Sequence, residues 1–368
     1  MKFVCHTCKS DFPYDIPRWR CDCGGYLKLS HKPTFTKADI ITERPNMWRY
    51  ETLYPIPYQE ISISFHEGLT PLLPINWDGL PITVKLESLM PTGSFKDRGT
   101  VMALNYLKNH GIRYITEDSS GNAASSVAAY SALGGLDCAV YVPAGNSSGK
   151  ITQAKALGAD VHPTPGTRDE VALAAQVHAE SYAGHNWHPM FEAGYKSVAY
   201  EIWEQHGFQA PDYIFTPCGG GGLTMGLVEG FLELLELGEV DRLPKIYPVQ
   251  PENCNPIYRA FHGITEPWTA TPTIAEGTSI AQPIKLHEIV NGVHKCGGEM
   301  LAVSDDNTLI ALKAAWQKGI YLEPTSAIAF AGFMQKKDSL SSTDKVTVLV
   351  SGNGLKASDK ISTILARE

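Results

Sequence analysis

The amino-acid sequence predicts an α/β protein built on parallel sheets, and two observations carry that expectation. From about Gly68 onward, short apolar, β-branched runs alternate with amphipathic helical runs, and the strands are too continuously apolar to keep a solvent face. Several of these strands lead through Ser-, Asn- or Gly-rich loops straight into helices, the arrangement that puts ligand sites at the carboxyl ends of strands.

Taken in order, residues 1–30 are an island of cysteine, aromatic and turn residues, and residues 31–65, with several prolines and tyrosines, read as a connecting arm that packs on the main body. Strands are expected at 82–86, 114–116, 138–142, 213–215, 245–249 and 346–350, where β-branched and aromatic residues cluster between turn signals. Helices are expected at 100–109, 123–133, 150–157, 170–181, 197–206, 223–237, 305–318 and 326–336. The chain has 368 residues, 43% hydrophobic and 19% charged, enough for a core divided between two lobes, 66–185 and 186–368. A formal net charge of -8 argues against a general nucleic-acid or anionic-membrane binder. The start, MKFVCHTCKS, lacks an apolar h-region and no later stretch reaches spanning length, so a cytoplasmic protein is expected. In a reducing compartment Cys138, Cys218, Cys254 and Cys296 read as small buried residues.

The loops carry the chemistry. Glu87 to Gly99 sets Lys96 between a Pro-Thr-Gly-Ser turn and the start of a helix, the rigid placement that a Schiff-base lysine needs; a plain surface lysine would also fit there. After the strand at 213–215 come Gly219, Gly220, Gly221 and Gly222, then a helix from Leu223, a phosphate cradle of backbone amides. A dinucleotide would need an acidic residue ending the next strand, but that strand runs into Gln250 and Pro251; the Walker lysine is missing too, so a lone phosphate monoester fits better. Ser119 to Ser125 forms a Ser/Asn-rich loop before an alanine-rich helix, either a simple cap or a nest for a carboxylate. The strand at 346–350 delivers Ser351-Gly352-Asn353-Gly354, and Glu323-Pro324-Thr325-Ser326-Ala327 opens another helix.

These segments, in this order from Glu87 to Lys356, resemble the motifs of fold-type II pyridoxal-phosphate (PLP) enzymes, the tryptophan synthase beta-like superfamily, and within it the threonine synthase-like branch. The resemblance implies two α/β lobes with PLP in the cleft, and a homodimer. It makes Lys96 the residue linked to the cofactor and the base for the α-proton. It gives Ser120, Gly121, Asn122 and Ala123 to the substrate α-carboxylate, with Asn122 also on the PLP ring hydroxyl. Gly219 to Gly222 and Leu223 would hold the cofactor phosphate, and Ser351 would face the pyridine nitrogen. A neutral hydroxyl there does not stabilise a protonated ring, which suits elimination and replacement more than transamination. Lys150 and Lys196 match basic positions for the phosphate of O-phosphohomoserine, the substrate converted to threonine and phosphate. Two departures keep a second reading open: Asn186-Trp187 stands where the synthase has an Asn-Ser pair, and the four glycines replace its Gly-Asn-Ala-Gly-Asn-like loop. Those features resemble β-replacement or β-elimination enzymes (cysteate synthase-, sulfhydrylase- or dehydratase-like) acting on a serine or threonine derivative.

Two further patterns compete for attention. Gly145-Asn146-Ser147-Ser148-Gly149 fits the G-x-S-x-G elbow of a serine hydrolase, although no HGGG-type oxyanion loop precedes it. Cys5-x2-Cys8 and Cys21-x-Cys23 read as the two thiolate knuckles of a small structural zinc ribbon, the second one residue shorter than usual; disulfides are the rival reading. The twelve histidines form no metal-binding pair of the H-E-x-x-H kind.

Overall fold

A computed structural model describes residues 1–144, 149–166, 168–177 and 181–366. The chain divides into two compact units, Met1–Gly68 with Lys96–Tyr195 and Leu69–Phe95 with Lys196–Glu368. It begins in unit one with strands β1 (Lys2–Cys5), β2 (Asp11–Pro13) and β3 (Leu27–Ser30), and enters unit two for β4 (Leu72–Trp77) and β5 (Leu80–Leu86). It returns to unit one for α1 (Lys96–Asn109), β6 (Tyr114–Glu117), α2 (Asn122–Gly134), β7 (Asp137–Pro143), α3 (Gly149–Ala156), β8 (Asp160–Thr164), α4 (Arg168–Ala175) and α5 (Pro189–Tyr195). Unit two is completed by α6 (Ser197–Gln205), β9 (Tyr213–Pro217), α7 (Gly222–Glu236), β10 (Lys245–Pro251), α8 (Pro256–Phe261) and α9 (Leu286–Lys295). After them come β11 (Leu301–Val303), α10 (Asp305–Gln317), α11 (Pro324–Lys336), β12 (Val346–Val350) and α12 (Ser358–Leu365).

In unit one, β1 pairs antiparallel with β2 and β3 to make the cysteine-bearing module, and β6, β7 and β8 form a parallel sheet. Of the expected helix at 170–181, α4 covers the part up to Ala175 and residues 178–180 lie outside the described residues; Tyr182 makes a parallel bridge to Thr116 of β6. In unit two, six strands run in the order β11-β10-β9-β12-β5-β4, all parallel except the antiparallel edge strand β4. Every residue of β12 is buried, as its unbroken Val-Thr-Val-Leu-Val run requires of a strand covered on both faces. Pro74 is tolerated in β4 because an edge strand has a side without a ladder partner. The core of unit two packs α11, through Phe330 and Phe333, against Trp77, Phe215 and Val249.

One buried ion pair sits inside unit two. Lys85 Nζ on β5 meets Glu201 Oε2 on α6 at 2.7 Å, and donates as well to the Thr70 carbonyl and to Gln205 Oε1. The second carboxylate oxygen, Oε1, accepts from the Leu69 amide, so this buried pair is well supplied with partners on both sides.

In unit one His188 is buried, and burial pushes its ring far below the usual 6.5, to about 3. Its Nδ1 accepts from the Met190 amide. The folded state therefore holds the ring neutral while the unfolded chain takes up a proton below 6.5. Stability is in full above that value and falls as the pH drops through it. Urea unfolding between pH 7 and roughly pH 5, above the range where most carboxylates titrate, should show a declining midpoint, and His188→Gln should flatten the slope.

Candidate active site

Lys96 is the first residue of α1, half-buried, with its Nζ 5.9 Å from the centre of the Tyr195 ring. Two features hold it there. Asp97, fully buried, accepts from Ser126 Oγ of α2 at 2.6 Å, and Ser126 Oγ also lies 2.7 Å from Thr100 Oγ1. On the other side α1 and α5 touch backbone to backbone: a Cβ at Gly194 would sit 1.9 Å from the Arg98 carbonyl oxygen, and one at Gly99 would sit 2.6 Å from Phe191. Only glycine permits that approach. The helix starts at Lys96, four residues before the expected 100, with the lysine in its first turn.

The Asp97–Ser126 bond also brings the Ser/Asn-rich loop alongside. Asn122 opens α2, Gly121 is its N-cap, and the Gly121 amide donates to Ser119 Oγ at 3.1 Å. Ser120, Gly121 and Asn122 are half-buried and Ala123 is buried. Ser125 Oγ donates to the Lys150 carbonyl at 3.1 Å, so the start of α3, with Lys150 half-buried, lies against the first turn of α2. Unit one thus assembles Lys96, the loop 120–123 and Lys150 around the N-termini of three helices, where helix dipoles favour anions. Ser147 of the hydrolase-like pattern lies outside the described residues.

Unit two brings together the glycines and Ser351's surroundings. Gly221 has φ of 85° and a Cβ there would sit 2.1 Å from Ile289, while one at Gly219 would sit 2.9 Å from the Thr278 Cα. The turn is therefore built for bare backbone, and it opens the fifteen-residue helix α7 through Gly222 and Leu223. Ser351, buried at the end of β12, shares a hydrogen bond of 3.0 Å with Ser326 Oγ near the start of α11, and its carbonyl accepts from the Phe95 amide. The hydroxyl of Ser94 is buried without a partner among the described residues. Lys196, the residue before α6, is committed elsewhere: Nζ lies 2.6 Å from Glu233 Oε2, and Glu233 also receives the Tyr200 hydroxyl. The motif wording suggested neither that carboxylate nor the Ser326 hydroxyl, because each partner lies tens of residues away in sequence.

The four N-terminal cysteines converge in unit one. All four sulfurs lie within 4.8 Å of one another, with Cys5 to Cys23 and Cys8 to Cys21 both at 3.5 Å. All four are free, so the disulfide reading does not describe this structure.

A lysine at a helix start, a carboxylate-sized loop beside it, and a glycine turn fit for a phosphate together match PLP chemistry. The chain belongs to the pyridoxal-phosphate dependent enzyme family, which residues 63–352 match. This bears out the expected two-lobed fold class and makes the protein a PLP-dependent enzyme. A threonine synthase of Methanocaldococcus jannaschii is 30% identical over 96% of this chain and 93% of its own length. A serine racemase from Dictyostelium discoideum superposes with a TM-score of 0.65 at 26% identity, covering 77% of this chain and 92% of that one. The processed form of threonine deaminase isoform 2 from Solanum lycopersicum shares the fold with a TM-score of 0.71 at 20% identity over 92% of each chain. Among the described residues no helix is long and apolar enough to cross a membrane.

Proposed function

We propose that this enzyme is a threonine synthase-like lyase: it releases phosphate from O-phosphohomoserine and adds water to give threonine. The observation that carries the reading is the gathering of Lys96, the loop 120–123 and Lys150 in unit one, supported by relatives named threonine synthase over nearly the whole chain. The residues fit PLP on their own chemistry: the glycine turn leaves backbone amides for its phosphate, and the free hydroxyl of Ser94 and the Ser351–Ser326 pair are neutral hydrogen-bonding groups of the same unit. Bound there, PLP would supply an electron sink for bonds to the α-carbon.

The protein's residues then divide the work. Lys96 would hold the cofactor through its Nζ, and the same Nζ, when released, would carry the α-proton. The loop Ser120 to Ala123 takes the α-carboxylate through amides at the start of α2 and the Asn122 side chain. Ser351, uncharged and already sharing its hydroxyl with Ser326, would leave the ring nitrogen unprotonated, which favours loss and addition of groups over amino transfer. Lys150 pairs the departing phosphate. Lys196 would join it only by leaving Glu233, and this pairing favours the second reading, a neutral or smaller leaving group on a serine or threonine derivative.

The same proposal extends to the ribbon. A tetrahedral zinc with sulfurs at about 2.3 Å separates them by roughly 3.8 Å, close to the observed 3.5 Å between Cys5 and Cys23, so Cys5, Cys8, Cys21 and Cys23 suit a closed structural zinc site. The relatives' biosynthetic name and the free cysteines support a cytoplasmic setting, and the homodimer rests on the family resemblance alone.

Two outcomes test these statements. Incubated with O-phosphohomoserine, the enzyme should yield threonine and phosphate in equal amounts by mass spectrometry. Lys150→Glu should cut kcat/KM for that substrate about 100-fold, the scale of one charge-assisted hydrogen bond of about 3 kcal/mol, and spare a neutral O-acetylated amino acid. Turnover of the acetylated compound alone would select the second reading, and transfer of the amino group to a keto acid would end both. For the ribbon, one zinc per chain is expected by metal analysis, lost on replacing Cys5 and Cys8 together; purified, active protein without metal would remove the assignment.

A further inference from the structure

We propose that the cysteine-bearing module positions the carboxylate-binding loop, acting through Trp19 and the hydroxyl of Tyr182, so that Tyr182 is a positioning residue for substrate binding. This rests on the role given above to residues 120–123. Trp19 stands two residues before the second pair of cysteines and is buried, although it belongs to the small N-terminal module. With Tyr182 and Ala175 it forms an apolar cluster of its own, against which Tyr141 and Trp187 pack. Its ring meets Tyr182 edge-on, with centroids 4.7 Å apart at 69°, and meets Trp187 edge-on at 5.4 Å. The Arg20 guanidinium lies 4.7 Å from the Trp19 ring centre and closes the cluster from outside.

Tyr182 passes this contact on. Its backbone runs beside β6: it bridges Thr116, and the Ala183 amide donates to the Thr116 carbonyl at 2.8 Å. Its hydroxyl donates to Asp118 Oδ1 at 2.8 Å. Burial, with Asp118 adding to it, holds that hydroxyl protonated far above the usual phenol range, so it is a permanent donor. Three residues on, His185 Nδ1 lies 2.7 Å from Glu117 Oε1. Both residues that lead from β6 into the loop are therefore tied to the segment 182–185. Immediately beyond them Ser119 Oγ takes the Gly121 amide and α2 begins. The Trp19 ring covers one side of Tyr182; without it the phenol gains room to turn and the Asp118 bond loses its fixed geometry. Trp187 joins the same cluster. The residue that departs from the synthase pattern is thus accounted for as a wall of this cluster.

The test uses the full-length, PLP-loaded protein and two probes, L-threonine and 1-aminopropan-2-ol, the same molecule without its carboxylate. Binding is read from the change in the cofactor's visible absorption, and hydrogen exchange is followed over residues 117–125. Tyr182→Phe keeps the ring against Trp19 and removes only the hydroxyl. It should weaken L-threonine roughly tenfold, the scale of one hydrogen bond to a charged group, leave the amine unchanged, and speed exchange over 117–125 while residues 1–30 stay protected. Trp19→Ala should give the same pattern, and Trp19→Phe should restore most of it. Should Trp19→Ala fail to fold, Tyr182→Phe carries the test alone. Equal weakening of both probes, or none, with unchanged exchange over 117–125, overturns the proposal. If the unaltered protein binds both probes equally, the carboxylate role of the loop falls and the proposal falls with it. If it discriminates and Tyr182→Phe discriminates to the same degree, the loop keeps its role and the positioning by Tyr182 is wrong.

Discussion

The hydrogen bond from Ser126 to the buried carboxylate of Asp97 is the constraint on which the geometry of unit one depends. It joins the residue after Lys96 to the second turn of α2, so the lysine and the loop 120–123 cannot move independently. Thr100 completes the arrangement: its Oγ1 lies 2.7 Å from the same Ser126 hydroxyl and donates to the Lys96 carbonyl at 3.0 Å. A buried carboxylate short of donors is costly, and this one is satisfied where its bond also sets the site. Glycines supply the opposing face: Gly99 and Gly194 let α5 press against α1 and carry Tyr195 to within reach of Lys96.

Unit two works by a different device. At the glycine turn it offers backbone, where positive φ and the crowding by Ile289 exclude a side chain at Gly221. The Ser351–Ser326 pair is neutral as well. Two of this unit's lysines are paired internally, Lys85 with Glu201 and Lys196 with Glu233. In the proposed function a neutral hydroxyl at the ring nitrogen suits elimination and replacement, since a carboxylate there would hold the ring protonated and favour other outcomes.

The parallel sheets were legible because buried parallel strands must be apolar along their whole length, as Val346 to Val350 shows, and the helices behind the motif loops followed from their periodicity. The elements that escaped were short or punctuated. No helix is expected at α5, where Gly194 interrupts the pattern for contact with α1, and no strand at β4, where Pro74 stands in a strand that tolerates it only as an edge. Of the candidate site, the residue types and their local frames were visible in the wording of the chain. The partners were not: Asp97 and Ser126, Lys196 and Glu233, and Tyr182 and Asp118 are joined only by the fold. Side-chain pairing across tens of residues leaves no periodic trace in a sequence.

The proposed function requires that Lys96 carry the cofactor. Borohydride treatment of the PLP-loaded protein, followed by proteolysis and mass spectrometry, addresses that directly. A phosphopyridoxyl group on Lys96 alone is expected, and no fixed label in Lys96→Ala. A label on another lysine, Lys150 or Lys196 included, or undiminished labelling of Lys96→Ala, would contradict it.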